Sequence, residues 1–176
     1  MEIKVKVKIN KSIDEVWKVM GYQFGEAHLW SSNFKTSKPG GEKKFEGIGY
    51  SLRDTTTPNG NTIQELKEFD AENYSLQYEI IAGKPEIAKF VSSHWYLKES
   101  EEGTIAFMDS VLEPKQELPQ EMTSKIQKGL TASFQTLADE LKFYIEEGKP
   151  HPNNLKVSER PPPSIFSGRG SRPLPA

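Results

Sequence analysis

The chain has 176 residues, a formal net charge of −2 and an isoelectric point near 6.0, and it contains no cysteine. These values exclude disulfide bonds and thiolate chemistry, and they give no overall electrostatic attraction to nucleic acid or to an anionic membrane surface. No segment approaches the roughly 20 apolar residues that a membrane-spanning helix requires, and the amino terminus lacks the apolar region of a signal peptide. We therefore expect one cytoplasmic domain with a core large enough to enclose a cavity.

The first 30 residues predict a strand followed by two short helices. Apolar residues alternate with lysines over 3–9, which is typical of a strand with one buried face and one basic, solvated face. The lysines suit either an edge strand that resists aggregation or a contact with an anionic partner. Ser12 and Glu15 have the spacing of a capping box at the start of a helix whose apolar face includes Trp17. Residues 24–30 predict the second short helix.

The segment from residue 34 to residue 113 alternates between strand-forming stretches and turns rich in Gly, Pro, Asn and Asp. The predicted strands are 34–38, 47–56, 62–69, 75–82, 88–98 and 104–113. Together with the first strand they make seven, and the short turns between them predict antiparallel pairing.

Residues 119–148 predict a long amphipathic helix, because apolar side chains from Met122 onward recur at intervals of three and four. At 1.5 Å per residue this helix is about 40 Å long, enough to cross a whole sheet. Gly148 ends it, and seven of the 12 prolines lie from Pro150 onward. We therefore predict one folded domain over 1–152 and a Pro-rich extended tail over 153–176, which is either solvated or a ligand for a partner domain.

The stretch GYSLRDTTTPNGNTIQELKEF, residues 49–69, predicts a hairpin that contains two charged residues, Arg53 and Glu65. With a three-residue loop over 58–60, Arg53 faces Glu65, so that opposite charges pair across the strands. A two-residue loop formed by the Asn-Gly pair instead places Arg53 opposite Leu66. We favour the three-residue loop. Periodicity alone leaves open whether the charges lie on a solvated outer face or face the interior.

Three motifs resemble one family, the polyketide cyclase/dehydrase-like branch of the SRPBCC (START/birch-pollen-allergen-like) superfamily. They are SIDEVWKVMGYQFGEAHLW, GIGYSLRD…NGNTIQELKEFDAENYSLQYEIIAG and LADELKFYIEEGKPHP. The resemblance covers residues 1 to about 152. It implies an α+β helix-grip fold, in which a curved seven-stranded antiparallel sheet wraps around a long C-terminal helix, with two short helices after strand 1 and a cavity between sheet and helix.

The resemblance also implies which residues face that cavity. In the plant hormone receptors of this fold, an arginine of the third strand and a glutamate of the fourth face inward, which favours the same orientation for Arg53 and Glu65. Lys35 matches a lysine that pairs with a ligand carboxylate. His94 is a further candidate because it shares a strand face with Phe90 and Ser92, although a histidine satisfied within the core is the alternative. The full set of expected ligand-binding residues is Trp30, Lys35, Arg53, Glu65, Tyr78, Phe90, Ser92, His94, Asp109, Lys125, Gly129 and Ser133.

These residues are consistent with three functions. A mostly apolar pocket with convergent polar groups would bind a small hydrophobic or amphipathic molecule, such as a lipid. The same polar groups would serve an enzyme that closes or dehydrates a polyketide-like substrate by acid–base chemistry. A protein-interaction module similar to a co-chaperone would instead have a filled interior and an exposed apolar patch. The short TPNG loop between the third and fourth strands argues against a gated hormone receptor.

Several questions stay open at the level of sequence. The charged residues Lys35, Arg53, Glu65 and Asp109 would also be explained by a structural network that pairs buried charges with one another. Whether any reaction is catalysed is undecided, and no residue marks a dedicated catalyst. We expect no cofactor and no metal, because no His, Asp or Glu cluster has ligand spacing. We expect no nucleic-acid partner, and a homodimer remains open.

Overall fold

The computed structural model describes residues 1–154, so residues 155–176, which hold most of the predicted Pro-rich tail, lie outside the described residues. The seven predicted strands are present, although the third begins at Leu52 rather than at residue 47. The strands are β1 (Glu2–Ile9), β2 (Thr36–Gly40), β3 (Leu52–Thr57), β4 (Gly60–Asp70), β5 (Ser75–Ala82), β6 (Ala88–Ser100) and β7 (Gly103–Pro114).

All seven strands form one antiparallel sheet in the order β1-β7-β6-β5-β4-β3-β2. Each strand from β2 to β7 therefore pairs with its neighbour in the chain, and β1 closes the sheet beside β7. The alternating pattern of β1 is confirmed, since its apolar residues are buried and its lysines exposed. Because β1 is an edge strand, a solvated row of lysines is well suited to it.

Two short helical elements follow β1, as predicted. Helix α1 (Ile13–Trp17) begins with the expected capping box, in which Ser12 Oγ accepts from Glu15 N and Glu15 Oε2 accepts from Ser12 N. The chain continues as a π-helical turn over Lys18–Tyr22 and a 3-10 helix over Phe24–Leu29. These short elements cover one end of the sheet and bury Trp17 in the core.

Helix α2 (Gln120–Glu147) has 28 residues and ends at Gly148, whose φ of +67° is the left-handed conformation that glycine favours. Its fully buried residues are confined to the C-terminal half, between Leu137 and Leu141. In the N-terminal half Met122 is exposed and Leu130 only half-buried. One half of α2 therefore packs tightly on the core, while the other half leaves space above the sheet.

The β3–β4 hairpin has a register that differs from both of those considered from the sequence. Thr57 pairs with Gly60, which leaves Pro58 and Asn59 as the loop and places Arg53 opposite Gln64. The Thr57 hydroxyl donates to the Gly60 carbonyl at 2.8 Å and accepts from Asn59 N at 3.2 Å, and these bonds close the turn one residue earlier than predicted. The expected pairing of Arg53 with Glu65 is therefore wrong.

Candidate functional site

A cavity of about 600 Å³ lies between the sheet and α2. This volume is within the range of about 300–1,000 Å³ that small-molecule sites occupy. Strands β4 to β7 and helix α2 supply most of its wall. Its apolar lining includes Ile3, Phe34, Tyr78, Ile80, Val91, Met108, Leu112, Leu130, Phe134 and Leu137, and its polar lining includes Asn33, Thr62, Gln64, Ser93, Ser110 and Ser133.

The cavity opens at one end of the molecule. Exposed residues line it at the β3–β4 turn, at the β5–β6 loop and on the N-terminal half of α2. Lys84 and Glu86 of the β5–β6 loop are the charged residues of this rim. The wall deeper inside consists mainly of aliphatic and aromatic side chains and short hydroxyls, so a molecule that enters passes from a polar rim to an apolar interior.

A second, much smaller void of about 20 Å³ adjoins the deep end of the cavity. Phe34, Tyr78 and Leu137 line both spaces, which makes the two neighbours. The other residues around the small void are Met20, Phe24, Trp30, Arg53, Leu76 and Trp95. It therefore has one charged group, Arg53, within a wall that is otherwise largely aromatic.

Arg53 is 4% exposed and is held by two hydrogen bonds and three aromatic rings. Its Nε donates to Gln64 Oε1 at 2.8 Å, and its Nη1 donates to the Phe24 carbonyl at 3.0 Å. The guanidinium carbon lies 3.9 Å from the ring centre of Phe24, 5.0 Å from that of Phe34 and 4.8 Å from that of Tyr78. Burial lowers the pKa of Arg53, and Tyr78 partly opposes this shift. An arginine nonetheless stays charged in proteins.

Four of the residues expected from the sequence line these two spaces. Trp30 and Arg53 line the small void, Tyr78 lines both spaces, and Ser133 lines the large cavity near its opening. The inward orientation of Arg53 answers the question that periodicity left open. The structure brings these side chains together from the 3-10 helix end, β3, β5 and α2.

The expected inward orientation of Phe90, Ser92, His94 and Asp109 is wrong. In β6 the alternate residues Val91, Ser93, Trp95 and Leu97 are buried on the inner side, which places the other set on the outer face. His94 is paired there with Asp109 across the strands, and its Nε2 lies 2.8 Å from Ser75 Oγ. The apolar residues of β6 determine which of its faces is buried, and that face is the opposite of the one that the family resemblance implied.

Glu65 and Lys35 also lie outside the cavity. Glu65 is opposite Leu52 and forms ion pairs with Lys44 at 2.7 Å and with Lys67 at 2.5 Å. The hydrogen bond from Lys44, followed by that from Lys67, lowers the pKa of the Glu65 carboxyl below its ordinary value. Lys35 is exposed because the preceding residue, Phe34, is the one that turns inward. The network of paired buried charges, which was the alternative explanation for these residues, is therefore not formed within the described part of the chain.

Lys125 and Gly129 are the remaining corrections. Both are exposed on α2, and neither lines the cavity. The inward face of the helix follows Leu130, Phe134 and Leu137, which are separated by three or four residues. Lys125 and Gly129 fall outside that face.

The sequence analysis missed several polar residues of the cavity. Gln64 is buried, holds Arg53 and donates to Thr62 Oγ1 at 3.2 Å. Ser93 and Ser110 face each other on β6 and β7 with their hydroxyl oxygens 2.8 Å apart. The signal for the two serines was present, since each alternates with buried apolar residues of its strand. For Gln64 the signal depended on the hairpin register.

Neither a metal site nor a membrane-spanning helix is found within residues 1–154. Within that range no group of three or more His, Asp or Glu side chains could hold a metal ion. Over the same range no helix is long and apolar enough to cross a membrane.

A curved antiparallel sheet that grips a long C-terminal helix over an internal cavity defines the helix-grip class of the START and birch-pollen-allergen-like proteins. Residues 1–146 match the family described as polyketide cyclase / dehydrase and lipid transport, and the chain belongs to that family. The resemblance inferred from the sequence motifs is thus confirmed. No functionally curated protein matches the sequence significantly.

Solved structures with the same fold come from distant relatives. A START superfamily protein from Mycobacterium smegmatis has a TM-score of 0.66 at 15% identity, over 84% of this chain and 99% of that one. The protein XoxI from Bacillus cereus has a TM-score of 0.63 at 20% identity, over 82% of this chain and 94% of that one. The protein Ara h 8.0201 has a TM-score of 0.60 at 14% identity, over 82% and 97% of the two chains. These similarities establish the helix-grip fold.

Proposed function

We propose that the protein binds a small hydrophobic or amphipathic molecule in the cavity between the sheet and α2. The observation that carries the proposal is the cavity itself, with about 600 Å³ of space, an apolar wall and an opening at one end. Water that enters such a cavity contacts its apolar wall, and a bound apolar molecule would remove that wall from water, which is favourable. Polar groups such as Gln64, Ser93 and Ser110 would orient the molecule.

The two alternative functions have less support. The acid–base alternative relied on Lys35, Arg53, Glu65 and Asp109, with His94 as a candidate base, and of these residues Arg53 alone lines either space. The co-chaperone-like alternative called for a filled interior and a large exposed apolar patch. The interior has a cavity instead, and within residues 1–154 the large exposed apolar side chains, such as Leu29 and Ile81, are few.

The proposal can be tested by closing the cavity from its opening. Ser133 lines the cavity near the opening, while its neighbour Ala132 is exposed on α2 and does not line it. Ser133→Trp should place an indole in the cavity, whereas Ala132→Trp should place one in solvent. Native mass spectrometry of the freshly purified proteins, followed by solvent extraction, would measure any molecule that remains bound.

We expect wild type and Ala132→Trp to retain the same extractable molecule and Ser133→Trp to lose most of it. Both variants should unfold with a cooperative transition like that of wild type, which shows that the difference is not a loss of fold. Equal retention by the two variants would contradict the proposed location. If wild type retains nothing, titration with 1-decanol provides the same comparison, and the absence of saturable binding would contradict the proposed function.

A further inference from the structure

Within residues 1–154 the charge of Arg53 is stabilised by neutral hydrogen-bond acceptors and aromatic rings and not by an opposite charge. In the part of the chain that the structure describes, no carboxylate forms an ion pair with its guanidinium. The two hydrogen bonds that it donates go to neutral acceptors, the Gln64 amide oxygen and the Phe24 carbonyl. A buried charge without an opposite charge is costly. The folded protein therefore holds a positive site that an anion would stabilise.

A donor without a partner belongs to another residue that lines the same void. The Trp30 side chain is 6% exposed, and its Nε1 has no hydrogen-bond partner among the described residues. An indole N–H can only donate, and a guanidinium has five N–H donors, of which the bonds to Gln64 and Phe24 use two and the interaction with the Tyr78 hydroxyl uses a third. Both Trp30 and Arg53 therefore have the capacity to bind an acceptor, and both line the void of about 20 Å³.

The sizes of the two spaces suit a ligand with one small polar end and a larger apolar body. The small void has room for about one water-sized atom, so it would accept a carboxylate oxygen but not an apolar chain or a bulkier phosphate. The large cavity of about 600 Å³ has the volume for an apolar body. Phe34, Tyr78 and Leu137 line both spaces, so a ligand that occupies both would pass between these three side chains.

We propose that the ligand is a monocarboxylate, whose carboxylate lies beside Arg53 and Trp30 and whose apolar body fills the large cavity. This inference rests on the proposed function and specifies the charge of the molecule. A carboxylate that accepts from a guanidinium forms a charge-assisted hydrogen bond, which is stronger than a neutral one. It also supplies the negative charge that the described residues do not place beside Arg53.

Three ligands with the same ten-carbon chain separate the effect of charge from that of the apolar body. Isothermal titration calorimetry at pH 7.4 would measure decanoate, 1-decanol and decylamine against the wild-type protein. We expect decanoate to bind at least tenfold more tightly than 1-decanol, and decylamine to bind more weakly than either. Equal affinities for decanoate and 1-decanol would overturn the inference and leave the proposed function intact. Binding by none of the three would contradict both.

Two variants test whether Arg53 is the source of the preference. Arg53→Met removes the charge and should abolish the preference for decanoate. Gln64→Glu keeps Arg53 and nearly the same side-chain volume, but it places a carboxylate 2.8 Å from the guanidinium, where Gln64 Oε1 now lies. This variant should fold even if Arg53→Met does not, because it supplies the missing partner charge.

We expect Gln64→Glu to weaken decanoate at least tenfold more than it weakens 1-decanol, since Gln64 also lines the large cavity and either ligand would meet the new carboxylate. Glu65→Gln is the matched control, since the adjacent residue lies on the outer face and forms its ion pairs with Lys44 and Lys67. It should bind both ligands like wild type. A Gln64→Glu protein that retains the wild-type preference for decanoate would overturn the assignment of the carboxylate site to Arg53.

Discussion

The register of the β3–β4 hairpin can be tested by the energy that couples Arg53 to its cross-strand partner. Arg53 Nε donates to Gln64 Oε1 at 2.8 Å, and both side chains are buried. A hydrogen bond that involves a charged group contributes about 1.5–3 kcal/mol. In a cycle of Arg53→Met, Gln64→Leu and the double variant, the bond to the Phe24 carbonyl is lost in both Arg53 variants and cancels. We therefore expect a coupling energy of about 1–3 kcal/mol.

A second cycle, with Arg53→Met and Glu65→Gln, provides the control. Glu65 lies on the opposite face of the sheet, where it pairs with Lys44 and Lys67. Its coupling to Arg53 should be within about 0.5 kcal/mol of zero. Urea denaturation of the six proteins, followed by circular dichroism, measures both energies. A larger coupling to Glu65 than to Gln64 would refute the observed register and restore the one that the charges favoured.

Three further predictions concern stability. Glu140 is 1% exposed and accepts hydrogen bonds from Ser32 N at 2.8 Å and from Ser32 Oγ at 2.5 Å. Glu140→Gln should therefore lower the free energy of unfolding, measured by urea denaturation, by about 1–2 kcal/mol. The control Asp139→Asn, at an exposed neighbour, should change it by less than about 0.5 kcal/mol. Equal effects would show that Glu140 does not hold the loop before β2. Gly21→Ala should destabilise the folded protein by about 1–3 kcal/mol, because a Cβ at this position would lie 2.5 Å from the Trp17 ring. Gly129→Ala should instead stabilise it by about 0.5–1 kcal/mol, because Gly129 lies on an open face of α2. Thermal melts that shift in the same direction for both glycines would contradict the packing described. The Glu65 pKa lies below its ordinary value of 4.5, so the stability from its ion pairs is present above that value and is lost as the pH falls through the folded-state pKa. Wild type should therefore exceed Glu65→Gln by up to about 1 kcal/mol at pH 7 and by nothing near pH 2, and a difference that persists near pH 2 would have another cause.

The sequence predicted the architecture well because local and global signals agree. The alternation in β1, the capping box at Ser12 and the apolar spacing of α2 each identify an element and its buried face without reference to the others. The same elements in order resemble the helix-grip family, and the family match confirms that assignment. Errors in element boundaries are confined to a few residues at the ends.

The site was less predictable because it depends on the orientation of single side chains. A shift of one residue in a hairpin reverses the face of every residue beyond it. The Thr57 hydroxyl sets the turn after β3, and this moves Glu65 outward and Gln64 inward. In β6 the apolar residues Val91, Trp95 and Leu97 indicate the inner face correctly, whereas the family resemblance implies that the other face is the inner one. Distant relatives share a fold without sharing the identities of their cavity residues.

That Arg53 has no partner carboxylate among residues 1–154 could not be predicted from the sequence. This depends on which carboxylates reach the guanidinium in the folded chain. Glu65, which the sequence predicted to face Arg53 across the hairpin, is directed to the opposite face of the sheet. The orphan N–H of Trp30 depends in the same way on the packing of the short helices against the sheet.

The most direct test of the central claim is to locate a bound molecule by NMR of methyl groups. The protein would be labelled at Ile, Leu, Val and Met methyls and saturated with decanoate or with 1-decanol. We predict large shift changes and ligand contacts for Val91, Met108 and Leu112, which line the cavity, and none for Ile105, which lies on the outer face of β7. Unchanged cavity methyls with both ligands, or changes confined to the outer face, would contradict the account.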